Sequence, residues 1–134
     1  MNIKDEIVSA TAMLLSIAKA DNIVEDSELK SIKEIISDFF QINSEDDIIN
    51  YIKIANTELE KSTDIFEFGR VLNDAWNYQD KIDFVCCMFE VSLIDGDMYY
   101  LEEHLIKKVS NILNVNHKDL IQSKVEIKRI FNKD

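Results

Sequence analysis

The chain has 134 residues, 46% of them hydrophobic, with 26 acidic against 15 basic residues for a formal charge of -11. There is no proline and there are two glycines, Gly69 and Gly96. This is the balance of an ordinary globular domain, its charge repels nucleic acid and anionic membranes, and its lack of turn-forming residues argues against a sheet-rich fold. The charge favours cationic partners, either metal ions or a basic patch on another protein.

Apolar residues recur at helical steps of three and four along the chain. Ile7, Ala10, Leu14 and Ile17 predict the buried stripe of a first helix, and Leu29, Ile32, Ile36 and Phe39 that of a second. Ile48, Ile52, Ala55 and Leu59 mark a third, capped by Ser44 with Asp47 in its first turn. Phe68, Leu72, Ala75 and Trp76 mark a fourth, opened by Ser62, Thr63 and Asp64. Ile82, Val85, Phe89 and Leu93 mark a fifth, and Leu101, Leu105, Val109 and Ile112 a sixth. Leu120, Ile121, Val125 and Ile130 give a seventh, less regular stripe, with Asn116 as its cap. The expected fold is all-α: a single compact bundle of about seven helices, forming one domain over residues 1–134.

Cys86 and Cys87 are adjacent on a helix, too divergent to bridge one another, and are expected to be buried, reduced thiols. Reduced cysteines suit a cytoplasmic protein. The start, Met1 to Glu6, is too acidic for a secretory signal, and no apolar run approaches membrane-spanning length. From His117 onward the chain turns mildly basic, through Lys118, Lys124, Lys128, Arg129 and Lys133, so this segment is expected to dock on the body or to recruit a partner. Arg70 is expected to pair with Asp74.

An internal repeat is the most informative feature. Within Ser16 to Glu28, Ala18 to Glu28 matches Ser92 to Glu102, 74 residues later: an apolar helix ends in Asp21 or Asp95, followed by Asn22 or Gly96, residues that tolerate the left-handed backbone ending a helix. Val24 or Met98 follows, and then Glu28 or Glu102 in the first turn of the next helix. Ile32 and Ile35 correspond to Ile106 and Val109. The repeat therefore predicts two helical hairpins related by pseudo-symmetry.

This doubled pattern of helix, Asp-Gly-like turn, Glu and helix resembles the tellurite-resistance TerB family, over roughly Ile7 to Val125. Asn22 departs from the glycine usual in the first turn. A related domain opens a membrane-attached DnaJ-type co-chaperone. The resemblance implies a small all-helical, non-enzymatic component of a bacterial stress response. It would be cytoplasmic, peripheral at the inner membrane only through a protein partner or membrane-associated complex. It also implies a metal site, which carries over to Asp21 and Glu28 in the first copy and Asp95 and Glu102 in the second. Asp97 and Glu103 are neighbours particular to this chain.

Such a set of oxygen donors suits calcium above other divalent cations. The Asp95-Gly96-Asp97 stretch is not an EF-hand, because its glycine and its glutamate fall at the wrong positions. A structural role is open for the same residues: an Asp at a helix end can accept turn N–H groups, and a Glu in a first turn meets the positive end of the helix dipole. On that alternative the protein is an interaction module of the co-chaperone type without metal. A metal-dependent hydrolase is the weakest reading, since His104 and His117 form no zinc motif and no phosphate loop exists. Tyr99 and Tyr100, in the second turn, are the candidate partner-binding residues.

Overall fold

The computed structural model describes residues 3–21, 24–61, 64–94 and 100–131, and of Asp21 the backbone alone. Seven α-helices lie among them: α1 (Ile3–Ala18), α2 (Asp26–Phe40), α3 (Glu45–Lys61), α4 (Phe66–Ala75), α5 (Tyr78–Leu93), α6 (Tyr100–Ile112) and α7 (His117–Phe131). A short 3-10 turn, Lys19–Asp21, follows α1, and the described residues contain no strand.

The sequence of α1 explains its place at the centre. No charged residue falls between Glu6 and Lys19, and every residue from Ile7 to Leu15 is buried. A helix apolar on all sides must be surrounded, and α2, α3, α4, α5 and α6 all pack on it. Ala10, Ala12 and Ala18 let these neighbours come close, while the buried Thr11 hydroxyl donates to the Ile7 carbonyl at 2.7 Å. The expected stripe on α1 is thus present, but it is part of a wholly buried helix.

Caps follow from local sequence. Ser44 Oγ accepts the Asp47 N–H at 3.2 Å, and Asp64 Oδ1 accepts the Phe66 N–H at 2.9 Å. Ser62 and Thr63, from the same expected cap cluster, lie outside the described residues. At the start of α5, Asn77 Oδ1 accepts the Asp80 N–H at 2.9 Å and Asp80 Oδ2 accepts the Asn77 N–H at 3.3 Å, a reciprocal capping box.

The internal repeat extends beyond the hairpins to three helices in each half. Helix α2 ends at Gln41 with φ 56°, and the Ile42 N–H returns to the Ser37 carbonyl at 2.9 Å. After α6, Asn114 has φ 61° and the Val115 N–H returns to the Ser110 carbonyl at 2.9 Å. Both are left-handed helix ends of the same kind, each followed by an apolar residue. Helices α3 and α7 then begin, and each packs against the first helix of its own half, α3 on α1 and α7 on α5. Helix α4 joins the halves and lies on α1 and α6. It crosses α6 where Gly69 faces Ile112: a Cβ on Gly69 would sit 2.1 Å from Ile112 Cγ2. Asn73 Nδ2 donates to the Ile112 carbonyl at 2.6 Å beside it.

Phe39, Phe40, Trp76 and Phe84 form an aromatic cluster, with centroids 5.1 Å apart for Phe39–Trp76 and 5.0 Å for Trp76–Phe84. Trp76 lies just past α4 in extended backbone and donates from Nε1 to Glu6 Oε2 at 2.8 Å.

Four expectations change. Ala75 of the fourth expected stripe and Leu101 of the sixth are exposed. On α7 the buried positions are Leu120, Ser123 and Ile127, whereas Ile121, Val125 and Ile130 are exposed. The docked face is set by α5, and Ser123 can sit in it because its hydroxyl donates to the Asp119 carbonyl at 2.9 Å. Arg70 approaches Glu67 at 3.8 Å, one turn towards the N-terminus, rather than Asp74. Cys86 and Cys87 are free thiols as expected, but half-buried.

Candidate functional site

The two glutamates of the repeat occupy the first turns of α2 and α6 and are almost wholly withdrawn from solvent, Glu28 at 2% exposure and Glu102 at 1%. Carboxylates are seldom buried unless held by hydrogen bonds or charge. For Glu28 one such contact is local: Oε1 accepts the Glu25 N–H at 3.0 Å, the reach-back half of a capping box, at the positive end of the helix.

Topology brings the motif of one half to the helix of the other. The 3-10 turn, whose backbone carries Asp21, packs against α6, the helix that carries Glu102. Lys19 ties this turn to α3 by donating from Nζ to Asn56 Oδ1 at 2.7 Å, a tertiary contact with no signature in local sequence. Asp95, Asp97 and Tyr99 lie outside the described residues. Tyr100 is 78% exposed at the first position of α6, beside the exposed Leu101. Ile94, at the end of α5, is exposed as well.

Glu103 is committed elsewhere. Lys124 of α7 forms a hydrogen-bonded ion pair with it and, with help from Lys107 and Lys128, holds its carboxyl below the usual carboxylate range. Among the described residues, no three His, Cys, Asp or Glu side chains gather as a metal-binding group. The candidate residues of the repeat, Asp21, Glu28, Asp95 and Glu102, are all carboxylates, a residue type that suits a hard cation better than a soft one. His104 is exposed on α6.

The thiols are poor nucleophiles. Burial pushes Cys86 up and Cys87 up strongly, with Glu90 and Asp83 adding negative charge near both. A thiol held protonated in acidic surroundings lacks the electropositive setting of a reactive cysteine.

A second acidic cluster spans α2 and α5. Glu90 is half-buried, and its carboxyl is raised first by that burial and then by Asp38 and Glu34. Glu34 and Asp38, one turn apart on α2, are visible in the sequence; Glu90 joins them only through packing, so the periodicity gave no sign of it. No described helix is long and apolar enough to cross a membrane.

No curated protein and no solved structure matches the chain. The family model for the tellurite resistance protein TerB matches residues 8–125, spanning all three helices of the first half and most of the second. By that match, the chain belongs to the TerB family.

Proposed function

We propose that the protein is a non-enzymatic stress-response component that binds a divalent cation, calcium before others, at its two hairpin turns and engages a protein partner through its acidic surface. The observation that carries this reading is the pair of buried carboxylates, Glu28 and Glu102, at equivalent places in the two halves. The packing of the Asp21 turn against the Glu102 helix supports one composite site over two separate ones. Asp21, Glu28, Asp95, Asp97 and Glu102 would hold the ion. Bound there, it would offset the carboxylate charge and would link the two halves. Tyr100, exposed beside the site, would contact the partner together with Tyr99.

Calcium titration followed by amide NMR tests this. Saturable shifts concentrated in residues 21–28 and 95–103, lost in Glu102→Gln, are the expected result. Diffuse, unsaturating shifts would sink it.

A second reading is favoured by the Glu25–Glu28 hydrogen bond. The carboxylates then only close their turns, and the chain is an interaction module of the co-chaperone type. On that reading calcium leaves the amide spectrum unmoved and Glu102→Gln retains the partner.

A further inference from the structure

The basic final helix is not absorbed by the metal-and-partner reading. Helix α7 turns Leu120, Ser123 and Ile127 inward, which leaves Lys118, Ile121, Val125, Lys128 and Arg129 along its outer face at helical spacing. Ile121 is 38% and Val125 43% exposed, one turn apart, as the anchors of a helix that inserts into a groove would be. The acids of α7 are engaged within the chain. Asp119 accepts the Tyr78 hydroxyl, and Glu126 accepts from Gln122 Nε2 at 3.0 Å and lies towards Cys86 of α5. On a chain of charge -11, this strip is locally cationic, with Lys128 also acting on Glu103 of α6.

A groove of matching character opens between α2 and α3, with a volume of about 640 Å³. Leu29 and Ile48 supply its apolar lining. Its charged rims carry Asp26, Glu34, Asp38 and Glu45 against Lys30 and Lys33, an acidic excess. Lys33 already leans on Glu45 at 4.0 Å. Glu34 and Asp38 also raise the carboxyl of the neighbouring Glu90, so negative charge there is crowded and would be relieved by an incoming cation. Along α2, Asp26 to Asp38 spans about 18 Å; along α7, Lys118 to Arg129 spans about 16 Å, at 1.5 Å per residue.

We propose that the outer face of α7 seats in the α2–α3 groove of a second copy of this chain. Ile121 and Val125 enter over Leu29 and Ile48, while Lys128 and Arg129 meet Glu34 and Asp38.

The test is sedimentation of the full chain over a concentration series at low and high salt. Reversible association that weakens with salt is expected. Lys128→Glu with Arg129→Glu, Glu34→Lys with Asp38→Lys, and Val125→Asp should each weaken it at least roughly tenfold. Helical circular dichroism should be retained, because all five positions are exposed.

The two charge-reversed variants, each self-repelling, should then associate with one another when mixed, since the acidic helix of one fits the basic groove of the other. A wild-type chain that stays monomeric, association indifferent to the reversals, or mixing that fails to restore it would overturn the proposal. A monomeric chain that instead cosediments through α7 with phosphatidylserine vesicles would overturn it too, and would identify a lipid surface as the occupant.

Discussion

Glu28 does two things at once in a place almost free of water: it accepts the Glu25 N–H, and it sets negative charge at the start of α2. Glu28→Ala removes both and leaves a part-buried donor unmatched, which should cost about 1–2 kcal/mol in urea unfolding. Glu28→Gln keeps an acceptor oxygen of the same reach and gives up the charge alone, so its cost should stay under about 1 kcal/mol. Equal losses for the two variants would show that the charge, and not the hydrogen bond, is what the turn requires. Gly69 poses the opposite problem. In an open helix, alanine for glycine gains about 1 kcal/mol. Here the new methyl group would meet Ile112 Cγ2 at 2.1 Å, on a β-branched side chain that cannot swing aside. Gly69→Ala should therefore destabilise by about 1–3 kcal/mol. Adding Ile112→Ala should recover part of that loss, a coupling that a double-mutant cycle reads directly.

At the scale of elements, most boundaries were legible because the signals were local. Ser44 before a periodic run announced α3, and the doubled Asp-to-Glu pattern announced the equivalence of α2 with α6. Helix α7 misled because Ile121, Val125 and Ile130 are as apolar as any core residue, and only its packing on α5 decides that Ser123 faces inward instead. The equivalence of α3 and α7 was hidden for the same reason: what they have in common is docking on the first helix of their own half and a left-handed lead-in, Gln41 or Asn114, rather than similar residues. Of the candidate site, the two glutamates were legible from their first-turn positions, whereas their near-complete burial depends on neighbours distant in the chain. The acidic face shared by α2 and α5 yields a prediction at this scale. Burial, then Asp38 and Glu34, raise the Glu90 carboxyl in the folded protein. Protonated Glu90 is accordingly the better-tolerated form, and stability present below the ordinary carboxylate range is lost as pH rises through the folded value. Glu90→Gln should raise Tm at neutral pH, with the gain shrinking towards zero as pH falls below that range. A gain that persists undiminished in acid would assign the effect to packing.

For the whole molecule the governing quantity is the charge of -11. Like charges crowded on a small surface oppose the compact state, and salt screens that repulsion over a Debye length of about 8 Å at physiological ionic strength. Sodium chloride should therefore raise Tm from its low-salt value and then level off. Calcium would do this as well, by screening alone, so stabilisation by calcium is informative only as an excess over sodium and magnesium chlorides at matched ionic strength. A specific site adds RT ln(1 + [L]/Kd), about 2.7 kcal/mol when the free ion is at a hundredfold excess over Kd. It continues to grow logarithmically where screening has saturated. If the buried glutamates take part, Glu102→Gln must sharply reduce this excess while leaving the sodium chloride curve in place, because it removes one charge from a large total but the charge and one of two oxygens from a ligand of the site. Calcium and sodium curves that coincide at matched ionic strength would reduce the ion to a screening agent. The buried carboxylates would then stand as the closures of two symmetry-related turns.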